Sequence, residues 1–80
     1  MVDDAKIIGE NIRKMRKERG MTQVRLANDL GITVATLSSY ENGKTTPSSY
    51  LVKQMAWHLN TTVARILEQT QAKDTFGYVD

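Results

Sequence analysis

Residues 22–44 read TQVRLANDLGITVATLSSYENGK. Thr22 and Thr33 each stand just before an apolar helical pattern, where a hydroxyl can accept a hydrogen bond from a free N–H of the first turn. Leu26, Ala27 and Leu30 recur at helical spacing after the first threonine, and Leu37 and Tyr40 after the second. Gly31 closes the first segment, and only Ile32 separates it from Thr33. That connection is too short for the two helices to lie antiparallel. The second helix runs to about Asn42 and Gly43 ends it. The stretch predicts a helix, a tight turn and a second helix crossing the first steeply, a geometry that suits a helix presented to the major groove of DNA.

Upstream, a first helix is expected from about Asp4 to Arg19. Ile8, Ile12 and Met15 form one apolar stripe. Asp3 and Asp4 at its start and the Lys/Arg residues near its end complement the helix dipole, and Gly20 stops it. Downstream, Lys44-Thr45-Thr46-Pro47 is a loop. Ser48 caps a fourth helix running to about Leu59, with Val52, Met55, Ala56 and Leu59 inward, and Asn60 suits the left-handed residue that follows. Thr62 caps a short fifth helix whose inner side is expected to be Val63, Ile66 and Leu67. From about Thr70 the pattern lapses into a polar run and then the aromatic cluster Phe76-Gly77-Tyr78-Val79. The expected architecture is all-α: a five-helix domain over residues 1–69 with a helix-turn-helix at helices two and three. Residues 70–80 form a C-terminal tail that is a candidate for contact with a partner or a second copy.

Composition narrows the function. Eighty residues, 40% of them apolar, make one small domain with one core. There is no cysteine, so neither a disulfide nor a zinc finger supplies stability. No apolar run approaches the roughly 18 residues of a membrane span and no signal peptide precedes the fold, so the expected compartment is the cytoplasm, with no membrane partner. The net charge of +2 and pI near 9.1 are mildly basic and do not by themselves argue for nucleic acid. With one histidine and no cysteine, no glycine-rich phosphate loop and no carboxylate pair at a plausible site, neither an enzyme nor a metal or other cofactor is expected. His58, beside core Leu59, reads as a surface or interface residue, and the methionines as core filler.

The resemblance extends well beyond the turn. IGENIRKMRKERGMTQVRLANDLGI, TLSSYENGKTTPS and MAWHL together resemble the helix-turn-helix domain of phage Cro and cI repressors and the Xre-type regulators. The likeness spans roughly residues 7–67 without a gap. It rests on Thr-Gln before helix two, Leu-Ala inside it, the glycine at the turn, Ser and Glu in helix three, then Gly-Lys and Pro-Ser. The resemblance implies a five-helix domain that binds double-stranded operator DNA, usually as a symmetric homodimer. It also implies an ion pair between Arg16 and Glu41, tying helix one to helix three.

Helical phase puts Val34, Ala35, Ser38, Ser39 and Asn42 opposite Leu37 and Tyr40. By resemblance Val34, Ala35 and Ser39 match base-reading positions, with Ser38 beside them. None carries the paired donors by which Arg reads guanine or Gln reads adenine. Val34 and Ala35 can touch thymine methyls, so thymine contacts, water bridges and DNA shape are expected to carry much of the specificity. The bland alternative is a neutral face of small residues. Gln23, in the first turn of helix two, is a candidate phosphate contact. Thr33 is another, although capping alone explains it equally well. Asn42, Lys44 and Thr45, just after helix three, and Arg25 complete the phosphate set. Arg13, Lys14 and Lys17 read as a solvated face. Trp57, Val63, Leu67, Phe76 and Tyr78 are the dimer candidates, Trp57 alternatively packing on the tail. A second reading, from a different class, is an antitoxin-like or anti-repressor module whose tail engages a protein.

Overall fold

Four hydroxyl caps set the helix starts in the computed structural model, which describes residues 4–68. The helices are α1 (Asp4–Glu18), α2 (Gln23–Leu30), α3 (Val34–Glu41), α4 (Ser49–His58) and α5 (Val63–Leu67). Thr22, Thr33, Ser48 and Thr62 are extended residues whose side-chain oxygens accept from the backbone N–H of Arg25, Thr36, Leu51 and Arg65 respectively. At the turn between α2 and α3, Gly31 has φ 70°, a left-handed conformation that costs glycine nothing. The N–H of Ile32 then returns to the carbonyl of Ala27 at 3.0 Å, which turns the chain into α3 within two residues. Asn60, at φ 54°, makes the equivalent bend after α4.

Ile8, Ile12, Leu26, Ala27, Leu37, Val52, Met55, Ala56, Leu59 and Ile66 form the buried core. Tyr40, Met15, Leu30 and Val63 pack against it partly buried. All five helices contribute, so none of them is an appendage. Leu67 departs from the expected inner side of α5: it is 50% exposed. The helix is only five residues long, and its inward side is taken by Ile66, fully buried, and Val63, partly buried.

Two polar or small residues in α1 decide how the other helices lie against it. Gly9 is buried. A Cβ built there would collide with the carbonyl oxygen of Tyr40 and sit 2.8 Å from that of Glu41, so the missing side chain lets α1 close on the end of α3. Asn11 is 3% exposed and donates through Nδ2 to the carbonyls of Ile66 (2.8 Å) and Glu68 (2.6 Å). It satisfies the otherwise open C-terminal end of α5.

Candidate nucleic-acid interface

The N-terminal turns of α2 and α3 both leave backbone N–H groups free, apart from those taken by the capping threonines. Val34 and Ala35, at the start of α3, are exposed, while Ser38 and Ser39, a turn later, are half-buried. Asn42 is exposed and its Nδ2 donates to Ser38 Oγ at 3.2 Å. The structure therefore brings Val34, Ala35, Ser38, Ser39 and Asn42 onto one outward side of α3. Thr33 Oγ1 accepts from the N–H of Thr36 at 3.0 Å and donates to Thr36 Oγ1 at 2.9 Å.

Beneath this surface lies a buried ion pair. Arg16 Nε donates to Glu41 Oε2 at 2.7 Å and Nη2 to Oε1 at 3.0 Å. The remaining guanidinium nitrogen, Nη1, donates to the carbonyl of Met21 at 2.8 Å. Gln23 Nε2 also donates to Glu41 Oε1, at 3.0 Å. A carboxylate turns the nitrogen side of an amide towards itself, so Glu41 fixes which way the Gln23 amide faces. One Nε2 hydrogen is used there and one remains for a ligand. Gln23 is thus a member of the buried network as well as the first residue of α2, which reading its surface position in the sequence missed. Nothing in the local sequence pairs positions 23 and 41; only the crossing of α2 over α3 does so.

The other candidates are more loosely placed. Arg25 is exposed, with Nε 3.7 Å from Asp29 Oδ2, a solvent-screened pair that contributes little. Lys44 and Thr45 are exposed in the loop after α3. Arg13, Lys14 and Lys17 are exposed along α1. Trp57, at 78% exposure, and Leu67 stand out from the surface, Val63 is half-buried, and Phe76 and Tyr78 lie outside the described residues. Among the described residues no cluster of acidic, histidine or cysteine side chains could hold a metal ion, and no helix is long and apolar enough to cross a membrane.

Residues 12–66 match the helix-turn-helix family. The chain belongs to that family, in its Xre and Cro/cI type. The helix-turn-helix regulators of this type bind DNA and control transcription. The chain is 40% identical over 57 residues to YazB, an uncharacterized HTH-type transcriptional regulator of Bacillus subtilis, covering 71% of this chain and 83% of that protein. It is 34% identical over 61 residues to the antitoxin PezA of Streptococcus pneumoniae, covering 76% of this chain but 39% of PezA. Among solved structures it resembles the clp gene regulator ClgR from C. glutamicum, with TM-score 0.75, 28% identity, and coverage of 79% of this chain and 82% of that one.

Proposed function

We propose that this helix-turn-helix protein is a cytoplasmic repressor that binds a palindromic operator as a homodimer. The observation that carries the reading is the outward side of α3, where Val34 and Ala35 stand exposed at the helix start and the Arg16–Glu41–Gln23 network braces the helix against α1 and α2. Val34, Ala35, Ser38 and Ser39 touch base edges. Gln23, Arg25, Thr33, Asn42, Lys44 and Thr45 hold phosphates, and these contacts set register rather than sequence preference. A single small domain buries too little surface for tight, selective binding. A two-fold dimer solves this with half-sites roughly 34–36 Å apart. Its surface draws on Trp57, Val63 and Leu67, with Phe76 and Tyr78 from the tail over residues 70–80, appended to a domain over residues 1–69. Operator selection from random duplex DNA, with sedimentation of the protein alone and with the selected site, tests the reading. A two-fold symmetric consensus bound by two copies supports it; monomer under both conditions, or no enriched sequence, overturns it.

The similarity to PezA favours a second reading, an antitoxin-like module that engages a protein through residues 70–80. Deleting those residues separates the two. Retained operator binding by the shortened chain supports a DNA reader whose dimer interface lies in the helices, at Trp57, Val63 and Leu67, and removes Phe76 and Tyr78 from that interface; loss of a protein partner with the tail supports the second reading.

A further inference from the structure

The first half of α1, the turn into α4 and the length of α5 leave an apolar groove of about 200 Å³ between them. Ile8, Pro47 and Val52 are its buried residues, and half-buried Val63 and exposed Leu67 wall it on the α5 side. Leu67, the leucine that α5 turns away from the core, thus borders a groove rather than a flat surface. Lys53 is exposed at the rim. It is the one charged residue lining the groove and joins no ion pair among the described residues. The groove is separate from the outward side of α3 and shares no residue with it. Its volume falls below the roughly 300–1,000 Å³ of a small-molecule site, and it suits one large apolar side chain.

We propose that Phe76 of the same chain seats in this groove, with residues 69–80 folded back over α5. Leu67 both walls the groove and ends α5, so the chain sets out from the groove's own edge. Eight residues, 68–75, lie between Leu67 and Phe76. At roughly 3.3–3.6 Å per extended residue they have slack to turn back. Phe76 is the chain's single phenylalanine, and seating it removes apolar surface of both ring and groove from water. Charge favours the same segment: Asp74 and Asp80 against Lys73 leave residues 69–80 with one excess negative charge, which complements Lys53. A tether this short supplies an effective concentration on the order of millimolar. That favours the chain's own phenylalanine over one from a second copy. The seating refines the dimer surface proposed above: at α5 a second copy meets the seated segment, while Trp57, outside the groove, stays bare to it.

The test is NMR on the full chain, as wild type and as Phe76→Ala, with a mixed sample of isotope-labelled and unlabelled copies. The expected result is contact between the Phe76 ring protons and the methyl groups of Ile8, Val52 and Leu67. These contacts arise within one copy and persist unchanged on dilution. Phe76→Ala loses them and shifts the same methyl signals, while the signals of α2 and α3 stay in place. Contacts found only between labelled and unlabelled copies give the groove to a second copy and overturn the proposal. Methyl signals of the groove that are identical in wild type and Phe76→Ala overturn it too, as do contacts from Tyr78 in place of Phe76. The measurement needs no duplex, so its failure leaves the reading of α3 as a DNA-contacting helix untouched.

Discussion

Gln23 and Arg16 both donate to the same oxygen of Glu41, each at 3.0 Å. The ion pair that ties α1 to α3 therefore also holds the first residue of α2. Three helices converge on one buried carboxylate, whose side chain is 1% exposed. Burying a charge is costly unless its oxygens are satisfied, and here a fork of two guanidinium donors and an amide supply the satisfaction. The same atoms thus serve the stability of the fold and the placing of the candidate interface.

Removing one partner of this pair should be severe. Glu41→Ala leaves the buried Arg16 guanidinium with only the Met21 carbonyl, and uncompensated buried charge costs about 3–5 kcal/mol. For a domain of this size that lowers the melting temperature by roughly 12 °C or more. Thermal unfolding followed by circular dichroism checks it. A melting temperature within a degree or two of wild type means that the pair does not stabilise the fold.

Gly9→Ala tests the close approach of α1 to α3. On propensity alone, alanine for glycine inside a helix stabilises by roughly 1 kcal/mol. Here the added carbon meets the carbonyl oxygens of Tyr40 and Glu41, and backbone atoms cannot rotate away. Overpacking of this kind costs about 1–3 kcal/mol, so the expected sign is net destabilisation. A urea midpoint that rises on substitution would show that α1 can shift outward at little cost.

Asn11→Ala should act locally before it acts globally. It strips the donors from the carbonyls of Ile66 and Glu68, at about 1–3 kcal/mol for buried groups left unsatisfied. Because α5 has five residues, it has little of its own to resist with. Hydrogen exchange should quicken over residues 63–67 while α2 and α3 change less. Uniform acceleration across the domain would show instead that Asn11 holds the whole fold.

Most of the architecture was legible because its signals are local. A threonine or serine cap, or an asparagine bending the chain after α4, acts within a few residues, so Thr22, Thr33, Ser48, Thr62 and Asn60 could be read directly. Arg16 and Glu41, 25 positions apart, were paired only through family resemblance. Gly9 and Asn11 went unread although each carried a signal. One is a helix-weakening residue inside a strong helix, and the other is a polar residue in phase with Ile8 and Ile12. What each one meets lies at least 31 positions on along the sequence, and periodicity says nothing about that. Leu67 was misplaced for the opposite reason: helical phase was continued to the last residue of a helix too short to bury two successive apolar side chains.

Gln23→Ala separates the two duties of that side chain. The Arg16–Glu41 bonds survive the change and Gln23 is only half-buried, so the loss of stability should be about 1 kcal/mol or less. Affinity for every duplex should fall by a similar factor, as expected for a phosphate contact. Titrations against the selected operator and a scrambled duplex make the comparison. A loss confined to the operator would mean that Gln23 reads a base.

Val34→Gln tests whether the exposed start of α3 reads sequence at all. Val34 is 39% exposed and offers only methyl groups, which suit a thymine methyl in the major groove and discriminate weakly among other bases. Glutamine is longer and adds paired donor and acceptor atoms that match adenine. Position 34 lies outside the core, and the Thr33 cap acts through Thr36, so the fold should tolerate the change. Repeating the operator selection with the variant should shift one position of each half-site towards adenine, with a discrimination of about 1–3 kcal/mol there. The other positions should keep their preferences, since they depend on Ala35, Ser38, Ser39 and the shape of the duplex. A consensus identical at every position would remove Val34 from the reading face. It would leave sequence preference to the serines and to deformation of DNA that no side chain touches.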